Sequence, residues 1–207
     1  MVKTNERVEL NPEEKILDAA KEEFMKFGLY GARMQAIADA AGINKALLHY
    51  YFRNKENLFD KVFGNALEKY FAQMEVLDDL TMPFKKRIFQ YIDNLIDFLT
   101  EYPHISIFII KEISVSPEIF KEKMNSIRKN RGRRLYHLIE SEMESGNIRK
   151  TDIQMFIMNL QSLCYYPFIA SPVYKRIFAM NTKEWKEVST VKLKKSVKEF
   201  VERTLEI

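Results

Sequence analysis

Residues 33–55 read RMQAIADAAGINKALLHYYFRNK, two short apolar-faced segments that meet at a glycine and close on aromatic and basic side chains. The spacing of Ala38, Gly42 and Leu48 is that of a helix-turn-helix. A first helix over about 34–40 buries Ile37 and Ala38, and the small Ala38 lets a second helix cross close by. Gly42 takes the left-handed conformation that ends the first helix tightly, and Ile43 anchors the turn. A second helix over about 44–51 is capped by Asn44, buries Leu48 and is locked by Phe52. Its remaining surface is predicted to enter the major groove of DNA.

The residue types on that surface suit the task. Phosphates take Lys, Arg, tyrosyl hydroxyls and helix N-termini, and base edges take hydrogen bonds or apolar contact with thymine methyls. The predicted DNA-binding set is Arg33, Gln35, Asn44, Lys45, Ala46, Leu47, His49, Tyr50, Tyr51 and Lys55, with Lys55 and Tyr51 on phosphate and Lys45, Leu47, His49 and Tyr50 deciding sequence. Within 33–55 four basic side chains (Arg33, Lys45, Arg53, Lys55) face one acid (Asp39), a local charge of plus three. Residues 1–60 carry nine Lys or Arg against ten Asp or Glu, so attraction depends on where the charges sit.

Upstream, Asn11-Pro12-Glu13-Glu14 marks the start of another helix, which presents Leu17, Ala20, Phe24 and Phe27 before Gly28 ends it. Residues 1–10 are polar and read as a mobile segment or a minor-groove arm.

The run from residue 12 to about 63 resembles the N-terminal DNA-binding domain of the TetR/AcrR family of one-component transcriptional regulators. The resemblance rests on Ile37-Ala38, Gly42-Ile43, Leu48, Tyr51-Phe52 and Lys55-Glu56-Asn57-Leu58, which follow the family's I-A, G-V, L-Y-x-H-F and K-E-x-L signature in order and spacing. It implies an all-helical homodimer whose three N-terminal helices read a palindromic operator, with an inducer pocket and the dimer interface in the C-terminal domain. Arg33 stands where Thr or Ser is usual, so the hydroxyl cap there is lost. Asn44 and Ala46 replace a common Ser and Gly, His49 replaces a Tyr, and Leu47 occupies an often polar position. The operator sequence therefore does not carry over.

Composition agrees. At 207 residues, 46% hydrophobic and 13% aromatic, the chain can bury a sizeable core. The net charge of +4 permits nucleic acid without requiring it. The start of the chain has no apolar run and the aliphatic stretch 105–110 is far short of the roughly 20 residues of a membrane span, so a cytoplasmic protein with no membrane partner is expected. Cys164 excludes an internal disulfide and reads as packing.

The expected architecture is all-α with about nine helices: residues 1–53 as the helix-turn-helix domain, 54–207 as a helical ligand-binding and dimerisation domain. After the fourth helix (about 54–77) come helices over about 83–101, 103–115, 116–145, 152–166 and 181–205. Residues 91–109 are apolar on more faces than one bundle contact explains, which suggests a cavity for a small apolar or aromatic effector. Its candidate lining is Phe63, Leu95, Phe98, Tyr102, Phe108, Glu112, Met124 and Met158; the alternative is a packed core, with Glu112 on a solvated face. Apolar stripes near the end of the chain, with Phe156, Leu160, Leu163, Trp185, Val197 and Val201, are expected to meet a second copy. By the resemblance this pairing sets two recognition helices roughly 34–36 Å apart, and a ligand among helices four to seven would alter that spacing through helix four.

Other classes are poorly supplied. His49, His104 and His137 are scattered, and no phosphate loop, His-Glu-x-x-His or nucleophile elbow occurs, so neither enzyme activity nor a metal or cofactor is expected. The basic runs over 121–134 and 192–198 lack interleaved aromatics and read as solvated faces. A nucleoid-type DNA binder indifferent to sequence, or a helical adaptor without ligand response, remains the alternative.

Overall fold

The first helix starts on a reciprocal cap. In the computed structural model, which describes residues 11–115 and 133–206 apart from the side chains of 109, 111–113 and 115, Asn11 Oδ1 accepts the Glu14 N–H (3.0 Å) and the Glu14 carboxylate accepts the Asn11 N–H (3.1 Å). With Pro12 in the first turn this sets α1, Pro12–Gly31. Gly28 interrupts it at φ 68°, ψ −178°, a conformation that only glycine adopts readily. Ile16, Ala20 and Phe24 form its buried line. Leu17 is half-buried and Phe27 is 53% exposed, unlike their expected place in the core, because the break at Gly28 turns Leu29 and Ala32 inward instead.

α2 (Met34–Ala41), α3 (Lys45–Tyr51) and the start of α4 (Lys55–Ala72) complete the first compact unit, which ends at Ala66. Its core is aromatic along α1 and α4. Phe24 meets Phe59 edge to face at 5.1 Å, and Phe59 stacks on Phe63 at 5.6 Å.

The second unit, from Leu67 on, is organised around α5 (Phe84–Glu101), whose Tyr91, Ile92, Leu95, Ile96 and Leu99 are at most 1% exposed. Helix α6 (Pro103–Val115), α8 (Ile153–Ile169), α11 (Leu193–Leu205) and a 3-10 turn (Glu75–Asp78) pack on it; α7 (Arg134–Glu144) packs on α8. Lys85–Glu202 (2.6 Å), Lys198–Asp93 (2.6 Å) and Lys194–Asp97 (2.7 Å) bind α5 to an antiparallel α11. These exposed pairs add little stability, but they fix the register.

One ionic group is interior. Arg87 is buried, its two terminal nitrogens donating to the Leu77 carbonyl (3.0 Å) and to Glu142 Oε1 (2.9 Å), while Asn147 donates to the other Glu142 oxygen (2.8 Å). The clamp joins the 3-10 turn, α5 and the end of α7.

Three expectations about helix ends are corrected. Pro167 does not stop α8, which runs on to Ile169; the proline forfeits one ladder hydrogen bond and the helix continues. A helix that the sequence reading omitted, α9, follows at Ser171–Ile177. The segment expected as one regular helix over 181–205 is α10 (Thr182–Glu187), a π-helical stretch (Val188–Lys192) and α11. Both the Ser189 and Thr190 hydroxyls donate to the Lys186 carbonyl (3.1 and 2.7 Å), competing for an acceptor the α-helical ladder would use. Residues 116–133, expected to open the helix that ends near 145, are described only from 133 on, and the arm over 1–10 lies outside the described residues.

Candidate nucleic-acid interface

The turn between α2 and α3 has the geometry its residues demand. Gly42 sits at φ 67°, ψ 33° and ends α2, its N–H bonded back to α2 carbonyls; Ile43 N–H reaches the Ala38 carbonyl at 3.0 Å. Asn44 Oδ1 caps α3 by accepting the Leu47 N–H (2.8 Å). Ile37, Ala38 and Leu48 are fully buried, and Phe52 is nearly so. With Leu48 held inward, Lys45, Ala46, His49 and Tyr50 are exposed, Tyr50 at 81%, and Leu47 is half-exposed.

Around this face lie Arg33, Gln35, Asn44 and Tyr51, all exposed. Arg33 begins α2 without a side-chain cap; its backbone N–H is taken by Glu23 Oε1 (3.1 Å), which leaves the guanidinium outside. Gln35 donates to Asp39 (2.8 Å), engaging the one acid near the face. Tyr50 and Tyr51 meet edge to face at 5.5 Å, so each steadies the other's ring. His49 Nδ1 lies 3.2 Å from the Arg53 carbonyl. A carbonyl only accepts, so Nδ1 carries the proton and, in the neutral ring, Nε2 is an acceptor.

Lys55 is the exception. Its ammonium donates to the Tyr30 and Ala32 carbonyls, 3.2 Å each, at the end of α1, where unpaired carbonyls and the negative end of the dipole favour a cation. The expected phosphate contact is thus largely engaged inside the unit. Lys55→Met should destabilise the first unit by about 1–3 kcal/mol and leave the dependence of DNA affinity on salt unchanged. A fall of about one in the slope of log K against log salt would instead mark a lost phosphate contact.

Beside the Lys55 clamp, Tyr30 is 70% exposed. The sequence reading passed over it because an isolated surface tyrosine before Gly31 has no periodic partner.

In the second unit the expected sites are redistributed. Phe156, Leu160, Val197 and Val201, expected at a dimer interface, are at most 2% exposed within a single chain and belong to its core. Leu163 and Trp185 remain partly accessible. Met158, expected in a cavity, is 59% exposed. Helix α8 carries two apolar stripes: Phe156, Leu160, Cys164 and Phe168 face inward, and Met155, Met158 and Tyr166 outward. The outward stripe continues on α9 with Val173 and Ile177, and Phe178 follows it. The i, i+3 recurrence of Met155 and Met158 was the available signal for that outer face.

Of the other expected lining residues, Leu95, Phe98 and Phe108 are buried in the second unit, and Phe63 belongs to the first. Phe98 and Tyr102 border an open hollow of about 430 Å³ with Lys69, Asp97 and Glu101, more polar than expected. The Glu112 side chain and Met124 lie outside the described residues. Burial pushes the Cys164 thiol up to about 12, so it is an inert thiol at neutral pH. Lys194 and Lys198 are held by Asp97 and Asp93, and Arg134 by Asp78, as expected of a solvated face; residues 121–132 of the other basic run lie outside the described residues. Among the described residues no group of three or more His, Cys, Asp or Glu is placed to hold a metal, and no helix is long and apolar enough to cross a membrane.

Comparison with known proteins places this geometry. The family model for bacterial regulatory proteins of the tetR family matches residues 16–62, α1 to the first half of α4. The HTH-type transcriptional regulator RutR of Escherichia coli strain K12 is 28% identical over 142 residues, 69% of this chain and 66% of that protein, so the chain spans just under two-thirds of its length. Among solved structures, the TetR family transcriptional regulator PfmR from Thermus thermophilus shares the fold at TM-score 0.66 and 20% identity, covering 89% of this chain and 97% of that one. The transcriptional regulator FadR from Bacillus subtilis, solved in complex with stearoyl-CoA, does so at TM-score 0.66 and 19% identity, covering 91% and 96%. The left-handed corner at Gly42, the matched N-terminal segment and the all-helical fold agree: the chain belongs to the tetR family of bacterial regulatory proteins, transcriptional regulators and not enzymes.

Proposed function

We propose that this protein is a homodimeric repressor that binds a palindromic operator and is released by a small, largely apolar effector. What carries the reading is the outward set on α3, Lys45, Leu47, His49 and Tyr50, projected by an inward Leu48 and a left-handed Gly42. His49 Nε2 accepts from the exocyclic amine of adenine or cytosine, Leu47 meets a thymine methyl, and Lys45 and Tyr50 complete the base contacts. Arg33, Tyr51 and the N-terminal turn capped by Asn44 hold phosphates, with Gln35 and Ala46 at the rim of the contact.

Dimerisation uses the outer stripe of α8 and α9. Met155, Met158, Tyr166, Val173, Ile177 and Phe178 are each at least 50% exposed, and so contiguous an apolar face favours a covering partner. A two-fold axis through it presents two copies of α3 to one face of the duplex, with half-site centres a helical turn or a multiple of one apart. Ile177→Glu should convert the dimer to a monomer in sedimentation and lower operator affinity at least about 100-fold, because a single half-site forfeits its partner's contribution; an intact dimer would place the interface elsewhere.

The effector binds in the second unit, and its effect passes through α4, the helix shared by both units. FadR holds stearoyl-CoA on the same fold, and the second unit here is rich in buried aromatic and aliphatic side chains. The ligand favours the conformation that does not fit DNA, and affinity falls by mass action.

Footprinting on the region upstream of the protein's own gene tests the reading. A protected palindrome is expected, with base preference altered at one position per half-site by His49→Ala. Unchanged preference after that substitution means that α3 is not the reading element. Uniform coverage without preference favours a nucleoid-type binder.

A further inference from the structure

Three phenols meet inside the second unit: Tyr70 from α4, Tyr91 from α5 and Tyr165 from α8. The Tyr165 hydroxyl donates to that of Tyr70, and the two rings lie 6.0 Å apart. Tyr91 is 1% exposed, yet its hydroxyl has no hydrogen-bond partner among the described residues. Burial raises all three phenols above their ordinary range, so each keeps its proton at any physiological pH. The groups acting electrostatically on them are one another and the Cys164 thiol, none of them an ionised side chain.

A second interior hydroxyl is unpaired. Ser106 on α6 is 4% exposed and its Oγ has no partner. Helical hydroxyls ordinarily return to the carbonyl one turn back, as Thr100 Oγ1 does to Ile96 (2.8 Å) and Ser114 Oγ to Ile110 (2.9 Å). Leaving a buried donor unpaired is unfavourable, and phenylalanine and alanine would fill the same places without that cost.

We infer that the Tyr91 hydroxyl is the polar anchor of the effector site, and that it selects an uncharged molecule with an oxygen acceptor, a ketone, ester or amide carbonyl on an apolar body. The inference rests on the effector-controlled reading above and specifies the ligand class. The Tyr70–Tyr165 pair already satisfies one phenol with another, so the free donor is the one on α5. A free carboxylate is excluded by the same surroundings: stripped of water beside neutral phenols, it would find no counter-charge among the described residues. Hydrocarbon ligands without an acceptor bind by burial alone and leave the donor unmet.

Acetophenone, ethylbenzene and benzoate serve as probes, with affinities measured by calorimetric titration of the full-length protein and of Tyr91→Phe. The substitution should weaken acetophenone roughly five- to tenfold, the worth of one hydrogen bond, and leave ethylbenzene unchanged or slightly tighter. Benzoate should bind neither protein. Removing an unpaired hydroxyl should leave the melting midpoint of Tyr91→Phe equal to or above that of the unsubstituted protein, so a folding defect does not confuse the comparison. Equal effects on the ketone and the hydrocarbon, absence of binding by all three probes, or benzoate binding more tightly than acetophenone would each overturn the inference. Operator binding measured on the same preparations separates the two levels: retained DNA recognition with no ketone preference defeats only the ligand class, and lost recognition defeats the regulator reading itself.

Discussion

Phe24→Ala should abolish operator binding by unfolding the first unit, at a cost of about 3–5 kcal/mol. Phe24 is fully buried, and its ring edge meets Phe59, which stacks on Phe63. Removing it leaves a cavity between α1 and α4 that a short three-helix unit cannot close by collapse. A unit of this size has a total stability on the order of 3–10 kcal/mol, so the loss is a large share of what holds α2 and α3 in place. The expected observation is a denaturation profile in which an early transition moves to lower denaturant while the transition of the second unit stays put, with operator affinity lost alongside. Full affinity in Phe24→Ala would show that α3 keeps its shape without the aromatic core.

Arg87→Met should have a comparable effect on the second unit, about 3–5 kcal/mol. The substitution leaves Glu142, with a side chain only 14% exposed, without its cation, and takes a donor from the Leu77 carbonyl. Asn147 still donates to Glu142 but cannot neutralise it. The pair itself is not optimal, since Arg87 Nε is buried without a partner. Pairing Arg87→Met with Glu142→Leu should therefore recover most of the loss, because an apolar pair of similar volume often equals a buried ion pair. Urea denaturation measures both: a lower midpoint at unchanged slope for the single variant, and a midpoint near the original for the double. The loss should also be insensitive to salt, unlike that of the exposed Lys85–Glu202 pair. A single variant as stable as the parent would mean that water reaches Glu142.

These two sites differ in how far the sequence announces them. Phe24 lies on a helix whose start is written in Asn11-Pro12-Glu13-Glu14, in line with Ile16 and Ala20, and its burial follows from that spacing. Arg87 reads as one basic residue among several near the start of α5. Its importance appears only when α7 brings Glu142 to it from 55 residues away. Lys55 is a similar case: its place behind Asn54 suggests a phosphate contact, and the carbonyls that hold it belong to residues 23 and 25 positions earlier. On α8 both stripes are apolar, so composition cannot rank Phe156 and Leu160 against Met155 and Met158; the positions of α5 and α11 decide which stripe turns inward.

The sequence by itself determined the helix-turn-helix, its left-handed corner at Gly42, the caps at Asn11 and Asn44, and the all-helical class. Each of these depends on interactions within about four residues along the chain, where side-chain chemistry and backbone conformation are directly linked. Tertiary structure alone decided the inward turn of Lys55, the Arg87–Glu142 clamp, the meeting of Tyr70, Tyr91 and Tyr165, and the face that α8 leaves open. Those depend on which distant helix arrives as a neighbour, and the free energy of burial that selects it is a property of the whole packed unit.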